Sequence, residues 1–353
     1  MPGPREITTT RLTLRPPAAG DRALWVRLHR DPTLYQHAPW AMPEDDEAAA
    51  AEFDDCVSRW GDAGFDYGIV EETNTRTGIG VGGLRRRDLE GEDVLNLYFR
   101  LAGDVHGRGM GREAARGWVA NAFEWLPDLP VIARARGINE YSVRAAVSAG
   151  LEPSGSLVEG PAEHGESTLL RAPRAEAHDW FDEDTRESLL DLWVATNDTG
   201  GAVGFLPGAP RSDVAQALSA HEEAMADGTT TAVLLRWPDG RVVGAGFWAA
   251  DRNQLLGHTR TAYRIMTAPD LRGRNLGRLL MSAMHRVARD QGVEVAVLDV
   301  RSGLGTTRFY ETCGYVEVGR VPGVIRVAPG DDRDSVILAR RLDGRPMVAD
   351  DRA

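Results

Sequence analysis

Ala268-Pro-Asp-Leu-Arg-Gly-Arg-Asn-Leu-Gly-Arg-Leu-Leu280 decides how this chain is read. A strand-like run over 259–267 leads into it. An amphipathic helix leaves it, with Leu276, Leu279, Leu280, Ala283, Met284, Val287 and Ala288 on one face. A basic, glycine-punctuated loop at a helix start presents outward backbone N–H groups, the positive end of the helix dipole and several arginines. That combination suits a pyrophosphate. A second copy lies upstream, Asp104-Val-His-Gly-Arg-Gly-Met-Gly-Arg-Glu-Ala114. Its helix carries Ala115, Trp118, Val119, Ala122, Phe123 and Leu126 on one face and stops at Leu126-Pro127.

The two copies continue alike. From the loop's last glycine to the glycine closing the next short helix is 150 − 111 = 39 residues in the first half and 314 − 277 = 37 in the second. A lone glycine loop is a weak signal, but two with the same downstream order indicate an internal duplication. No Gly-x-x-x-x-Gly-Lys-Ser/Thr occurs, which excludes a P-loop kinase. The glycines follow several antiparallel-looking strands, which fits a Rossmann unit poorly.

At 353 residues, two domains of ordinary size are expected. The 42% hydrophobic and 27% charged content is that of a soluble globular protein. The net charge of −12 argues against nonspecific binding to nucleic acid or an anionic membrane. Cys56 and Cys313 are the only cysteines, too few for a disulfide framework or a cysteine-rich zinc site, and no metal is expected. No apolar run reaches the roughly 18 residues of a spanning helix. The opening Met-Pro-Gly-Pro-Arg-Glu lacks the apolar core of a signal peptide, so a cytoplasmic enzyme is expected.

Alternation and turn residues predict strands over 12–15, 65–70, 77–85, 94–101 and 131–136, with short strands up to 171. A helix capped by Asp21 carries Leu24, Trp25 and Leu28, and another spans 139–149. Residues 172–178 have little periodicity and read as a linker. Helices over 184–195 and 212–226 follow, then a hairpin over 230–237 and 241–250. Beyond the second glycine loop come strand 293–300, helix 306–313 and strands 315–320 and 335–342. The expected domains are 1–172 and 184–345, joined by 173–183, with a polar tail at 346–353.

The pattern Arg/Gln-x-x-Gly-x-Gly/Ala between strand and helix resembles the acetyl-CoA signature of the GNAT acetyltransferase superfamily. It reads His106-Gly-Arg-Gly109-Met-Gly111 in the first half and Arg272-Gly-Arg-Asn275-Leu-Gly277 in the second. The first half resembles the ribosomal-protein alanine N-acetyltransferases through Thr10-Arg-Leu-Thr-Leu-Arg15, Glu113-Ala114 and Asn139-x-x-Ser142 leading to Gly150-Leu151. The second resembles small-molecule amine acetyltransferases through Arg308-Phe-Tyr-Glu-Thr-Cys-Gly-Tyr315. The resemblance implies an α/β (α+β) chain of two tandem GNAT folds. Each would be a mixed, mostly antiparallel sheet splayed at a central parallel pair, with helices on both faces. It also implies a monomer with an intramolecular pseudo-dimer, or a homodimer.

Two departures stand out. His106 replaces the usual Arg or Gln. Asn275 replaces a glycine, and asparagine is among the few residues that tolerate the left-handed region. By the same resemblance the acetyl-CoA residues are Met266, Thr267, Arg272, Gly273, Arg274, Asn275, Leu276, Gly277, Arg278, His106, Gly107, Arg108, Gly109, Met110, Gly111, Arg112 and Asn139.

Acetyl transfer to an amine needs a deprotonated amine, a polarised thioester carbonyl and a proton for the leaving thiolate. The resemblance implies that Tyr310, on the short helix after the second parallel strand, is the acid of the second half, and a phenol is a reasonable match to a thiolate. His258 and Asp251, near the start of strand 259–267, are candidate bases, through a water if need be. Ser142 is the corresponding donor in the first half, with Tyr141 a weaker alternative. Trp237, Trp248 and Tyr263 could line the acceptor site, and loops 197–211 and 321–334 could shape it. The leading expectation is N-acetylation of a small-molecule primary amine by the second half. Protein or peptide N-terminal acetylation by the first half is an alternative, as is a noncatalytic acyl-CoA-binding role for one or both halves.

Overall fold

The computed structural model describes residues 6–126, 128–136, 138–158 and 165–347. Pro127, most of the N-terminal hexapeptide and most of the polar tail lie outside the described residues. The chain divides into two compact units, Met1–Pro173 together with Gly273–Asn275, and Arg174–Arg272 together with Leu276–Ala353.

In the first unit the elements are β1 (Ile7–Thr8), β2 (Leu12–Arg15), α1 (Arg22–His29), α2 (Asp46–Ala63), β3 (Tyr67–Glu72), β4 (Thr77–Leu89), β5 (Glu92–Leu101), α3 (Met110–Trp125), β6 (Val131–Arg136), α4 (Glu140–Ser148), β7 (Glu152–Val158) and β8 (Glu166–Arg171). They form an eight-stranded sheet in the order β1-β2-β3-β4-β5-β6-β8-β7. Only β5 and β6 pair in parallel among the described residues, over Leu95–Leu97 and Val131–Ala133. Helices cover both faces, as the resemblance implies. On one face Trp25 and Leu28 of α1 and Phe53 and Cys56 of α2 pack on Tyr67, Ile69 and Val81. On the other, α3 lies so close to β4 that a Cβ on Gly82 would sit 2.5 Å from the Trp118 ring. A glycine-rich strand is the means by which this indole reaches the sheet.

The second unit begins with β9 (Arg174–His178), α5 (Glu183–Asp198), α6 (Arg211–Ala226), β10 (Thr230–Arg236), β11 (Val242–Ala249) and β12 (Thr259–Thr267). It continues with α7 (Leu276–Asp290), β13 (Val295–Arg301), α8 (Thr306–Thr312), β14 (Val316–Ala328) and β15 (Asp331–Arg341). Its sheet runs β14-β15-β13-β12-β11-β10-β9, with β12 and β13 parallel.

Three expectations need correction, and one helix goes beyond them. The segment read as a linker contains β9, which pairs with β10 from Arg174 opposite Arg236 to His178 opposite Ala232; its Arg-Ala-Glu-Ala pattern is too weakly apolar to announce an edge strand. Segment 321–334, expected as an acceptor loop, is the far end of the β14–β15 hairpin. Asp21 precedes α1 without capping it. Its carboxylate instead accepts from the Ala18 N–H at 2.7 Å and pairs with Arg15. Helix α2 was not anticipated, although Asp45 caps it by accepting from the Ala48 N–H and Gly64 closes it at φ 74.

Glu113, in the first turn of α3, ties the opening segment to the glycine loop. Its carboxylate accepts from the Thr9 hydroxyl at 2.6 Å and from the Arg11 N–H and Nε, each at 2.7 Å. Arg11 also donates to the Arg108 carbonyl at 3.0 Å. Burial alone would raise the Glu113 pKa, but the bonds from Thr9 and Arg11 outweigh it and hold the carboxyl below its ordinary value. This stabilisation is therefore present above the usual carboxylate range and is lost as pH falls through the lowered native value. Glu113→Ala is expected to destabilise the first unit by about 1–3 kcal/mol near pH 7. A urea midpoint unchanged from the parent would remove the tether from the account.

Candidate active site

Both glycine loops adopt one backbone shape. Gly107 and Gly109 have φ of 75 and 78, and Gly273 and Asn275 have φ of 82 and 67. Asn275 thus takes the left-handed conformation its sequence position demanded. A helix starts immediately after each loop, α3 at Met110 and α7 at Leu276. The first N–H groups of such a helix have no partner within it and point at whatever sits before the N-terminus. The last glycine of each motif is a point of close approach, Gly111 to Phe99 and Gly277 to Phe309.

The strands supply the second half of the geometry. In β5 the Leu95 N–H donates to the Pro130 carbonyl on one side, and the Ala102 N–H donates to Ile79 on the other. Alternation therefore turns Phe99 and Leu101 toward β6. The parallel ladder is registered only through Leu97, so these two residues face an opening between the strands. The Leu101 carbonyl accepts from His106 Nε2 at 3.0 Å, which explains the histidine: it fastens the loop to the strand end. In β12 the Ala268 N–H donates to Val243 on β11, so Thr267 faces the equivalent opening and Met266 faces β11.

In the first unit the opening widens into a cavity of about 660 Å³. The loop from His106 to Arg112 lines it, except Arg108, whose guanidinium pairs with Glu72 at 3.1 Å. Helix α4 forms the opposite wall with Asn139, Tyr141 and Ser142. Asn139 caps α4, its side-chain oxygen accepting from the Ser142 N–H at 3.2 Å. Ser142 thereby stands in the first turn facing the cavity. Tyr141 is largely exposed under the Arg144 guanidinium. Segment 33–38, between α1 and α2, closes the remaining side. Sequence reading missed this segment and its partner Arg100; an arginine in the otherwise apolar run Leu97-Tyr-Phe-Arg-Leu101 was the available signal.

Fewer of the second unit's expected residues converge. Arg274 and Arg278 have no ion-pair partner among the described residues, and Arg272 donates to the Thr199 hydroxyl at 3.1 Å. Tyr310 is buried on α8, edge-on to Phe309 and Tyr315, and burial raises its pKa. His258 and Asp251 are exposed beside the paired end of the two parallel strands. His258 lies nine residues from Thr267, roughly 30 Å along an extended strand, so the structure does not bring it to the loop. Trp237 and Trp248 are core residues, the latter donating to the Met284 carbonyl at 2.8 Å, while Tyr263 is 40% exposed. At the β12 bulge Arg264 adopts φ 52 and lays its guanidinium 5.5 Å from the Trp193 ring centre, with Nε buried and unpaired.

Behind the first cavity, His29 donates from Nδ1 to the Trp25 carbonyl at 2.9 Å, which leaves Nε2 to accept from the Tyr98 hydroxyl at 3.3 Å. Burial, with smaller contributions from the Arg100 and Arg85 charges, holds its pKa down to about 4. As pH falls from about 6.5 the unfolded chain takes a proton that the native chain refuses until about 4. Stability should therefore fall in that window by up to about 1.4 kcal/mol per pH unit from this residue. Urea melts at pH 7 and pH 5 test this: the loss should be smaller for His29→Gln than for the parent, and equal losses would refute the neutral buried imidazole.

The glycine loops fit a pyrophosphate, with open space at Gly107 and Gly273 and unpaired arginines beside them. Comparison with known proteins agrees. Residues 11–152 match the family model described as acetyltransferase (GNAT) domain, and residues 209–323 match a second model of the same description. Among solved structures, a ribosomal-protein-alanine N-acetyltransferase from Brucella melitensis is 18% identical, covering 47% of this chain and 99% of its own, at a TM-score of 0.39. A GNAT-family acetyltransferase from Bacillus anthracis is 15% identical, covering 47% of this chain and 96% of its own, also at 0.39. Acetyl-CoA is the acyl donor of such enzymes, and the chain belongs to the GNAT acetyltransferase superfamily as two GNAT domains in tandem.

Proposed function

We propose that the chain acetylates a primary amine of a small molecule in the cavity of its first domain. The observation that carries this reading is convergence: glycine loop, open strand edge and Ser142 line one space. The leading sequence expectation placed the chemistry in the second domain; the lining of the cavity supports the first instead.

Acetyl-CoA supplies the acetyl group and a thiol leaving group. Gly107, Gly109 and the first N–H groups of α3 would hold its pyrophosphate, and Arg112 adds charge beside them. The N–H groups of Phe99 and Leu101 face the opening, where a carbonyl oxygen can accept from them. Ser142 offers a hydroxyl to the departing sulfur. No carboxylate lines the cavity among the described residues, whereas five arginines do: Arg100, Arg112, Arg134, Arg136 and Arg144, the last paired with Glu140. Nearby positive charge disfavours the ammonium form of an amine. The cavity thereby promotes the neutral nucleophile without a dedicated base.

A second reading keeps the chemistry in the second domain. Its support is Tyr310, whose buried phenol stays protonated and whose neighbour Phe309 contacts Gly277 of the loop. Thiol release measured on small-amine and peptide panels separates the two. Ser142→Ala should lower kcat about 10-fold or more with the acetyl-CoA KM little changed, and Gly109→Val should raise that KM. Turnover lost in Tyr310→Phe and kept in both first-domain variants would transfer the reaction to the second domain. Turnover confined to peptides would replace the small amine by a protein N-terminus.

A further inference from the structure

Arg100 occupies an unusual position in the first cavity. It is half-buried on β5, its guanidinium 3.4 Å from the centre of the Tyr35 ring and 5.8 Å from that of Tyr98. Its Nη1 is fully buried without a hydrogen-bond partner. No carboxylate among the described residues lies within ion-pair distance; Glu52 and Asp31 feel its charge only at longer range. A cation taken partly out of water, with two aromatic rings for company and no anion, is costly unless a ligand completes it.

The pyrophosphate is not that ligand. Phe99 and Leu101 flank Gly111 on the α3 side of the sheet. Alternation sends Arg100 to the opposite face, where Tyr98 packs with α1 and α2 and where Tyr35 belongs to segment 33–38. The charge thus faces the part of the cavity away from the glycine loop. Arg136, whose Nη1 donates to the Gly165 carbonyl at 2.8 Å, adds positive potential from β6. This wall is cationic in a chain whose net charge is −12.

We infer that the acceptor carries a carboxylate near its amine and that Arg100, stacked on Tyr35, is the residue that binds it. The inference rests on the first-domain reading of the reaction and adds the acceptor's chemical class. A planar guanidinium fits a carboxylate with two parallel N–H···O bonds. Such an anchor would hold a zwitterionic amino acid or a related amino carboxylate in a cavity that repels simple ammonium ions.

The test compares matched compounds with and without the carboxylate. Amino acids and their carboxamides serve as acceptors. N-acetylamino acids and their amides serve as turnover-independent binding probes, titrated by calorimetry in the presence of CoA. The parent should bind and turn over the carboxylates at least 10-fold better. Arg100→Gln should erase that preference, raising KM for amino acids roughly 10-fold or more while changing the carboxamides little. Arg100→Lys should recover only part of it, because the ammonium lacks the fork and the stack. Thermal melts establish that each variant folds; Tyr35→Leu, which removes the ring and keeps the guanidinium, replaces any that does not and should weaken the preference. Equal binding of acids and amides, or a preference that survives Arg100→Gln, overturns the inference even if the first domain proves active. Carboxylate binding that depends on Arg100 without any turnover leaves the inference standing and overturns the proposed reaction.

Discussion

Two parallel strands that part company are the constraint on which the first domain depends. Where β5 leaves β6, the backbone groups of Phe99 and Leu101 lose the neighbours a sheet would give them. Backbone polar groups do not stay idle when buried. One of them, the Leu101 carbonyl, is satisfied by His106; the others face the cavity. The glycine loop, the α4 wall and segment 33–38 are arranged around that gap. A GNAT domain in this light is a sheet left deliberately unfinished, whose ladder a thioester and its acceptor can complete.

The same gap is furnished differently in the two copies. In the first domain the sheet edge carries Tyr98 and Arg100, and β5 keeps an unbroken register with β4 from Gly80 to Leu89. In the second, β12 bulges against β11 and Arg264 folds back onto Trp193. Counting from the glycine motifs, Arg264 occupies the position of Tyr98. The two copies share the backbone shape of the glycine loop and differ in what stands beside it.

Much of this was legible in the chain. The loops were legible because φ > 0 restricts residue choice so sharply that glycine and asparagine give the conformation away. The amphipathic helices were legible because their period is imposed by a one-sided core: α3 buries Ala115, Trp118, Val119, Ala122 and Phe123, and α7 buries its Leu276, Leu279 and Leu280 stripe. Helix α2 was missed because its Ala-rich, acidic sequence buries only Ala49, Phe53 and Cys56, too sparse a stripe to read. The candidate bases failed to converge because proximity along a strand is not proximity to its far end. Arg100 was missed for a deeper reason: a charged residue in a strand is read as solvent-facing until the face it shares with Tyr98 and Tyr35 is seen.

The Glu113 tether has a mechanical consequence. Through Thr9 and Arg11 the segment before β2 is hydrogen-bonded to the first turn of α3 and to the Arg108 carbonyl of the loop. The stiffness of the glycine loop is therefore set partly by the turn that joins β1 to β2. Anything attached close ahead of Thr9, whether a fusion partner or a binding protein, has a short lever on the loop and can retune its grip on a cofactor without touching the cavity.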